Sequence, residues 1–222
     1  MKAISAIIFK DLVIELRNKE SISSMLMFGV LVLVIFNFAF EPSSVERALI
    51  APGTLWVAFS FAAILGLNRS LAMEIDNDCL QGLLLAPLSR GDLYLGKVAG
   101  NFIFILIAEV IVLPVFVILN NLRFNLQFLE IAGITCLGTL GIAAISTILS
   151  TISANTRMKE VMLPVLQIPL TIPVVICAVE ATATVLIPDY EGEISSWLSV
   201  LAGFTIVYLT VSYLIFEYAV EE

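Results

Sequence analysis

Val98-Ala-Gly-Asn-Phe-Ile-Phe-Ile-Leu-Ile-Ala-Glu-Val-Ile-Val-Leu-Pro-Val-Phe-Val-Ile-Leu119 is a run of 22 residues with a single charge, Glu109. At about 1.5 Å of rise per residue, roughly 20 such residues cross the ~30 Å hydrocarbon core of a bilayer as a helix. The buried strands of a soluble α/β protein are also apolar, but they end after about 4–8 residues. Five more windows share the character of the first: Ser21–Phe40, Ala48–Leu67, Ile131–Ile152, Val161–Val179 and Trp197–Phe216, and all six are 19–22 residues long. The chain of 222 residues is 60% hydrophobic and 14% charged, where a soluble domain carries roughly 25% charged residues. A single span in lipid must satisfy its own backbone hydrogen bonds, so each window is a helix. A transmembrane barrel would need alternating strands of about ten residues, and nothing here alternates. The sequence predicts an all-α membrane protein of one domain, residues 1–222, with six transmembrane helices.

Orientation follows from Lys and Arg. Lys2, Lys10, Arg17 and Lys19 precede the first window; Arg69, Arg90 and Lys97 lie between the second and third; Arg157 and Lys159 lie between the fourth and fifth. Nine of the eleven basic residues therefore share one side, which the positive-inside rule makes cytoplasmic, with both termini. The net charge of −8 does not oppose this, since the rule counts only Lys and Arg, and it speaks against a nucleic-acid partner. The first apolar block is longer than the core of a secretion signal and is expected to be a retained span.

Several chemistries are excluded. The chain has no histidine, which removes Ser-His and Cys-His nucleophilic pairs, histidine metal sites and bis-His haem ligation by this chain alone. No phosphate-cradling glycine loop is present, so ATP-driven work would need a second polypeptide. Cys79, Cys136 and Cys177 are scattered, with no spacing that suggests a disulfide or zinc site.

Polar and small residues inside the windows are the next signal. A carboxylate at the depth of Glu109 costs about 2.5–3.5 kcal/mol on insertion scales. It is expected to face the bundle interior, either hydrogen-bonded to a neighbouring Ser, Thr or Asn or placed on a substrate path. Pro114 can kink that helix. The fourth window carries Gly133, Gly138, Gly141, Ala143, Ala144 and Ser146, a close-approach face for another span or for a second copy of the chain in a homodimer. Pro164, Pro169 and Pro173, with Gln167 among them, predict that the fifth span is bent or partly unwound. Asp189, Glu191 and Glu193 form an acidic outer loop, either solvated or a docking surface; Tyr190 and Trp197 suit the outer interface and Tyr218 the inner one.

Residues 1–20 can form an interfacial helix. Ile8, Phe9, Leu12, Val13 and Leu16 share one side at 100° per residue, and Lys10, Asp11, Glu15 and Arg17 the other, although Ile4, Ile7 and Ile14 blur the pattern. The stretch 69–97 is the longest inner connection. Asp76, Asn77 or Asp78 can cap a short helix that Pro87 ends, bearing Leu80, Leu83 and Leu84 on one side. Those leucines cannot be buried in water and must press on the membrane, on their own bundle or on a partner. Asp92 is a candidate cap for the turn that leads into the third span.

An acidic residue, a short helix with Leu-Leu, then Ala-Pro and Gly-Lys entering a span resembles the permeases of ABC-2 type exporters, and more closely the haem exporter protein B family, CcmB. The residues that carry the resemblance are Lys10-Asp-Leu-Val-Ile-Glu-Leu-Arg17 with Glu20-Ser21, Ala51-Pro-Gly-Thr-Leu-Trp-Val-Ala-Phe59, Leu65-Gly-Leu-Asn-Arg-Ser70, Asn77-Asp-Cys-Leu-Gln-Gly-Leu-Leu-Leu-Ala-Pro87, Tyr94-Leu-Gly-Lys-Val-Ala-Gly-Asn101, Glu109 and Leu113-Pro114. They fill the first half densely; the second half matches in length and span count.

The resemblance implies an N-terminal cytoplasmic elbow helix, six spans, and a coupling helix between spans two and three. Glu74, Asp76, Asn77, Asp78, Leu80, Leu83, Leu84 and Pro87 would then meet an ATPase. It also implies a bacterial inner-membrane location. The partners would be a cytosolic ABC ATPase, a haem-handling membrane subunit, a small tethering subunit and a periplasmic haem chaperone. Haem enters as a substrate of the complex, its axial ligands expected from a partner, with Met25, Met27, Met73, Met158, Met162 or the cysteines the alternative on this chain; no cofactor is expected on this chain alone, and it is not expected to be an enzyme. Three functional classes stand beside one another. They are a permease driven by a separate ATPase, for haem or another cargo, a non-transporting scaffold that transmits ATPase motion, and, more weakly, an ion-coupled carrier.

Overall fold

The structure, a computed structural model, describes residues 2–17, 19–39, 44–76, 82, 89–122, 127–154, 159–187 and 190–221. Within them are seven helices and no strand: α1 (Lys2–Arg17), α2 (Lys19–Ala39), α3 (Ser44–Asp76), α4 (Arg90–Leu119), α5 (Gln127–Ala154), α6 (Lys159–Leu186) and α7 (Ile194–Glu221). The six from α2 to α7 are long and apolar enough to cross a membrane, and the chain is a multi-pass membrane protein. The 33-residue α3 is about 50 Å long and outruns its apolar window, continuing through Glu74 to Asp76.

Helix α5 is the hub, packed against α6, α7, α4 and α3; α2 pairs with α3 and α4, and α1 lies against α4. Small residues allow these approaches. A side chain on Gly138 would meet the Trp56 ring at 2.4 Å, one on Gly66 would enter Met25 at 2.2 Å, and one on Gly141 would meet Thr205 Oγ1 and Val174 at 3.1 and 3.2 Å. The small face of α5 thus meets α3, α6 and α7 of the same chain, while Gly133 looks onto open space.

Trp56 of α3 fills the gap that Gly138 leaves and is fully buried. A buried indole N–H needs an acceptor. Trp56 Nε1 donates to Thr182 Oγ1 of α6 at 2.9 Å, and that hydroxyl donates to the Ala178 carbonyl at 2.7 Å. One side chain so joins α3, α5 and α6.

The fifth span is not unwound. Helix α6 runs unbroken through Pro164, Pro169 and Pro173. Each proline lacks an N–H and leaves a carbonyl one turn earlier short of a donor. Hydroxyls work in the same stretch: Thr171 Oγ1 donates to the carbonyls of Gln167 (3.1 Å) and Ile168 (3.0 Å), and Tyr208 of α7 to that of Leu170 (2.9 Å). These bonds fall on carbonyls beside those the prolines free, and they tie α6 to itself and to α7.

Gly138→Leu is expected to lower stability by about 1–3 kcal/mol, the usual cost of overpacking, whereas Gly133→Leu should be near neutral. Thermal melting of the two purified variants in detergent checks the contrast.

Candidate functional site

Glu109 lies on the buried side of α4 and is only 2% exposed. Thr139 of α5 sits opposite, its hydroxyl 2.9 Å from Oε1 and 2.7 Å from Oε2. The carboxylate therefore faces the bundle interior and ties α4 to α5. Two turns below, Asn101 Nδ2 donates to Thr147 Oγ1 at 2.9 Å and ties the same helices again. Gln167 Nε2 of α6 donates to Ser146 Oγ at 2.5 Å, and Thr205 Oγ1 of α7 donates to the Leu137 carbonyl at 3.3 Å. The hydroxyl partners Thr139, Thr147 and Ser146 all belong to α5.

The stretch expected to meet an ATPase falls mostly outside the described residues. Asn77, Asp78, Leu80, Leu83, Leu84 and Pro87 lie outside them, as do the side chains of Glu74 and Asp76, whose backbone ends α3. Where the chain re-enters the description, Ser89 is the N-cap of α4: it has extended backbone, and its Oγ accepts from the Asp92 N–H at 3.0 Å. The cap is thus Ser89 and not Asp92. Asp92 occupies the third helical position, where a carboxylate favours the helix N-terminus.

The N-terminal helix corrects a second expectation. Ile7, Asp11 and Glu15, one turn apart, are buried, while Phe9 is 72% exposed and Leu16 also faces outward. The acidic side is turned into the protein. It packs on Gly96-Lys-Val-Ala-Gly100 of α4, where a side chain on Gly96 would meet Ile7 at 3.0 Å and one on Gly100 would meet Asp11 at 3.4 Å. Asp11 pairs with Lys10 at 2.8 Å and with the buried Lys97 at 3.8 Å. The two glycines let the helices close, and the buried lysine gives the carboxylates a reason to face inward. Arg69 of α3 pairs with Glu20 of α2 at the same basic end.

The family model described as CcmB protein matches residues 2–222. The chain belongs to the CcmB family. Among curated relatives, the protein named "Heme exporter protein B" of Haemophilus influenzae is 27% identical over 89% of each chain. That of Rhodobacter capsulatus is 26% identical over 90% of each. That of Escherichia coli K12 is 26% identical over 87% of this chain and 88% of its own.

For a CcmB protein the sequence reading missed several residues. Thr139, Thr147, Ser146 and Lys97 gave no local signal of their role, although Gly-x-x-x-Gly at 96–100 bracketing a lysine was a readable helix-contact motif. Glu180, near the far end of α6, was also passed over. It accepts a 2.6 Å hydrogen bond from Tyr190 of the acidic loop, and that carboxylate pushes the Tyr190 phenol above its usual range. Among the described residues no group of three or more acidic or cysteine side chains could hold a metal ion.

Thr139→Val should destabilise the protein by about 1–3 kcal/mol, because a buried acceptor loses its donor. Adding Glu109→Leu should recover part of that loss, since two apolar groups are cheaper than one orphan. Melting temperatures of the single and double variants test this; a neutral Thr139→Val would contradict it.

Proposed function

We propose that this chain is the permease subunit of an ABC transporter for cytochrome c biogenesis. It would couple ATP hydrolysis by a separate subunit to haem export or to release of a haem-loaded chaperone. The observation that carries the reading is the CcmB family match across residues 2–222. Relatives of equal length named heme exporter protein B support it. In this reading residues 1–222 are one permease domain in the bacterial inner membrane. The basic end, with both termini, is cytoplasmic. The partners are a cytosolic ABC ATPase, a haem-handling membrane subunit, a small tethering subunit and a periplasmic haem chaperone. The chain lacks histidine and so offers no bis-His site, and in this reading a partner holds the haem iron.

Force from the ATPase enters through the segment between α3 and α4. Glu74, Asp76 and Asp78 would form its acidic rim beside Asn77, Leu80, Leu83 and Leu84 would fill an apolar cleft on the ATPase, and Pro87 would end it. Motion of that segment reaches α4 directly and reaches α1 through the Asp11–Lys97 contact and the two glycines. Glu109 sits further along the same helix, tied to the hub by Thr139.

Burial of one leucine is worth about 1.5–3 kcal/mol. Leu83→Asp should therefore release the ATPase on mild-detergent purification while the permease level in the membrane stays normal. Asp78→Lys should do less, because exposed pairs contribute under about 1 kcal/mol. Normal ATPase recovery with Leu83→Asp would mean that the leucines pack on their own bundle. Haem uptake by vesicles holding the ATPase–permease complex separates export from a purely transmitting role.

A further inference from the structure

Helix α5 carries a line of hydroxyls that the exporter reading leaves unused. At 100° per residue Thr135, Thr139, Ser146 and Ser153 fall within about 40° of one another, and they span about 27 Å along the axis. All four residues are buried. Thr139 faces Glu109 of α4 and Ser146 faces Gln167 of α6, so the line looks into the bundle between those helices.

Counting hydrogens along the line leaves acceptors without donors. Ser146 has one hydroxyl hydrogen and gives it to the Ile142 carbonyl at 2.7 Å, so toward Gln167 it can only accept. In this arrangement Nε2 meets Ser146, and Oε1 of this fully buried side chain has no partner among the described residues. Thr139 stands within reach of both Glu109 oxygens yet has one hydrogen, so the two oxygens share a single donor. Thr135 Oγ1, one turn further along, has no partner among the described residues either.

Gln167 Oε1 and the Glu109 carboxylate need a donor, and the Thr135 hydroxyl needs an acceptor for its hydrogen, in each case a partner small enough to sit between packed helices. Water supplies two hydrogens and two lone pairs, and buried waters typically make two to four bonds to otherwise unsatisfied groups. We infer that the interior face of α5 binds ordered water, which donates to Gln167 Oε1 and to the Glu109 carboxylate and accepts from the Thr135 hydroxyl, so that a hydrated seam runs through the bundle between α4, α5 and α6. Bonds to water exchange partners readily, so the proline-rich α6 keeps a polar contact with α5 while the two helices shift against each other.

X-ray radiolysis makes hydroxyl radicals wherever water sits and so reads the seam directly. Thr135→Cys and Ser146→Cys would be placed singly in full-length protein with Cys79, Cys136 and Cys177 replaced, in lipid nanodiscs. Ala144→Cys on the opposite face of α5 and Ala63→Cys on α3, both equally buried, are the controls. Thiol oxidation by mass spectrometry should be at least ten-fold faster at the seam than at the controls. Equal rates would overturn the inference. Should the cysteine variants fail to accumulate, Thr135→Val decides: a watered hydroxyl predicts a melting temperature lower by about 2–4 °C, and an unchanged or higher value overturns it.

Discussion

Hydrocarbon offers no hydrogen bond to a polar group, so a donor or acceptor carried into the span region has to be met by the protein or by water held within it. That constraint organises this protein around α5. Its hydroxyls receive Glu109 and Asn101 from α4 and Gln167 from α6, and its Leu137 carbonyl receives Thr205 from α7. Apolar packing alone would not choose these faces, because lipid tails are as apolar as leucine. Interhelical bonds of this kind are each worth about 0.6–2 kcal/mol, and they are directional. Together with the close approaches at Gly138 and Gly141, they set which face of each helix meets the hub.

The same constraint explains the N-terminal helix. Lys97 is a buried cation, and a buried charge must be paired. Asp11 supplies the opposite charge, and Glu15 is buried on the same side. The apolar side of α1, with Phe9 and Leu16, is left facing outward, where a membrane interface is a better neighbour than water. Helix α1 is thereby fastened to the helix that follows the proposed coupling segment.

The six spans were legible because their signal is composition over about 20 residues, which no soluble fold imitates. Glu109 was legible as the single charge in its window. Its partner was not, since Thr139 is one of many hydroxyls and lies 30 positions away. The face of α1 was misread for a physical reason: periodicity assumes that the polar side meets solvent, and here a buried lysine reverses the sides. Of the two outcomes expected for α6, bent or partly unwound, unwinding is not seen: prolines announce missing donors, but the helix runs on through all three. The Ser89 cap was readable as Ser-x-x-Asp before an apolar run and was assigned three positions too late.

In the proposed function, motion from an ATPase enters α4 and reaches α1 through the Asp11–Lys97 contact, so α1 and α4 should move as a unit relative to α7. Pulsed electron–electron resonance between spin labels, on the complex in nanodiscs, tests it most directly. One label pair joins Phe9 of α1 to Ile111 of α4, and the other joins Phe9 to Ile206 of α7, all three positions being exposed. On adding ATP the first distance should stay fixed and the second should shift, and neither should respond when the ATPase is left out. A fixed second distance with ATP and ATPase present, or a first distance that changes as much as the second, would contradict the account.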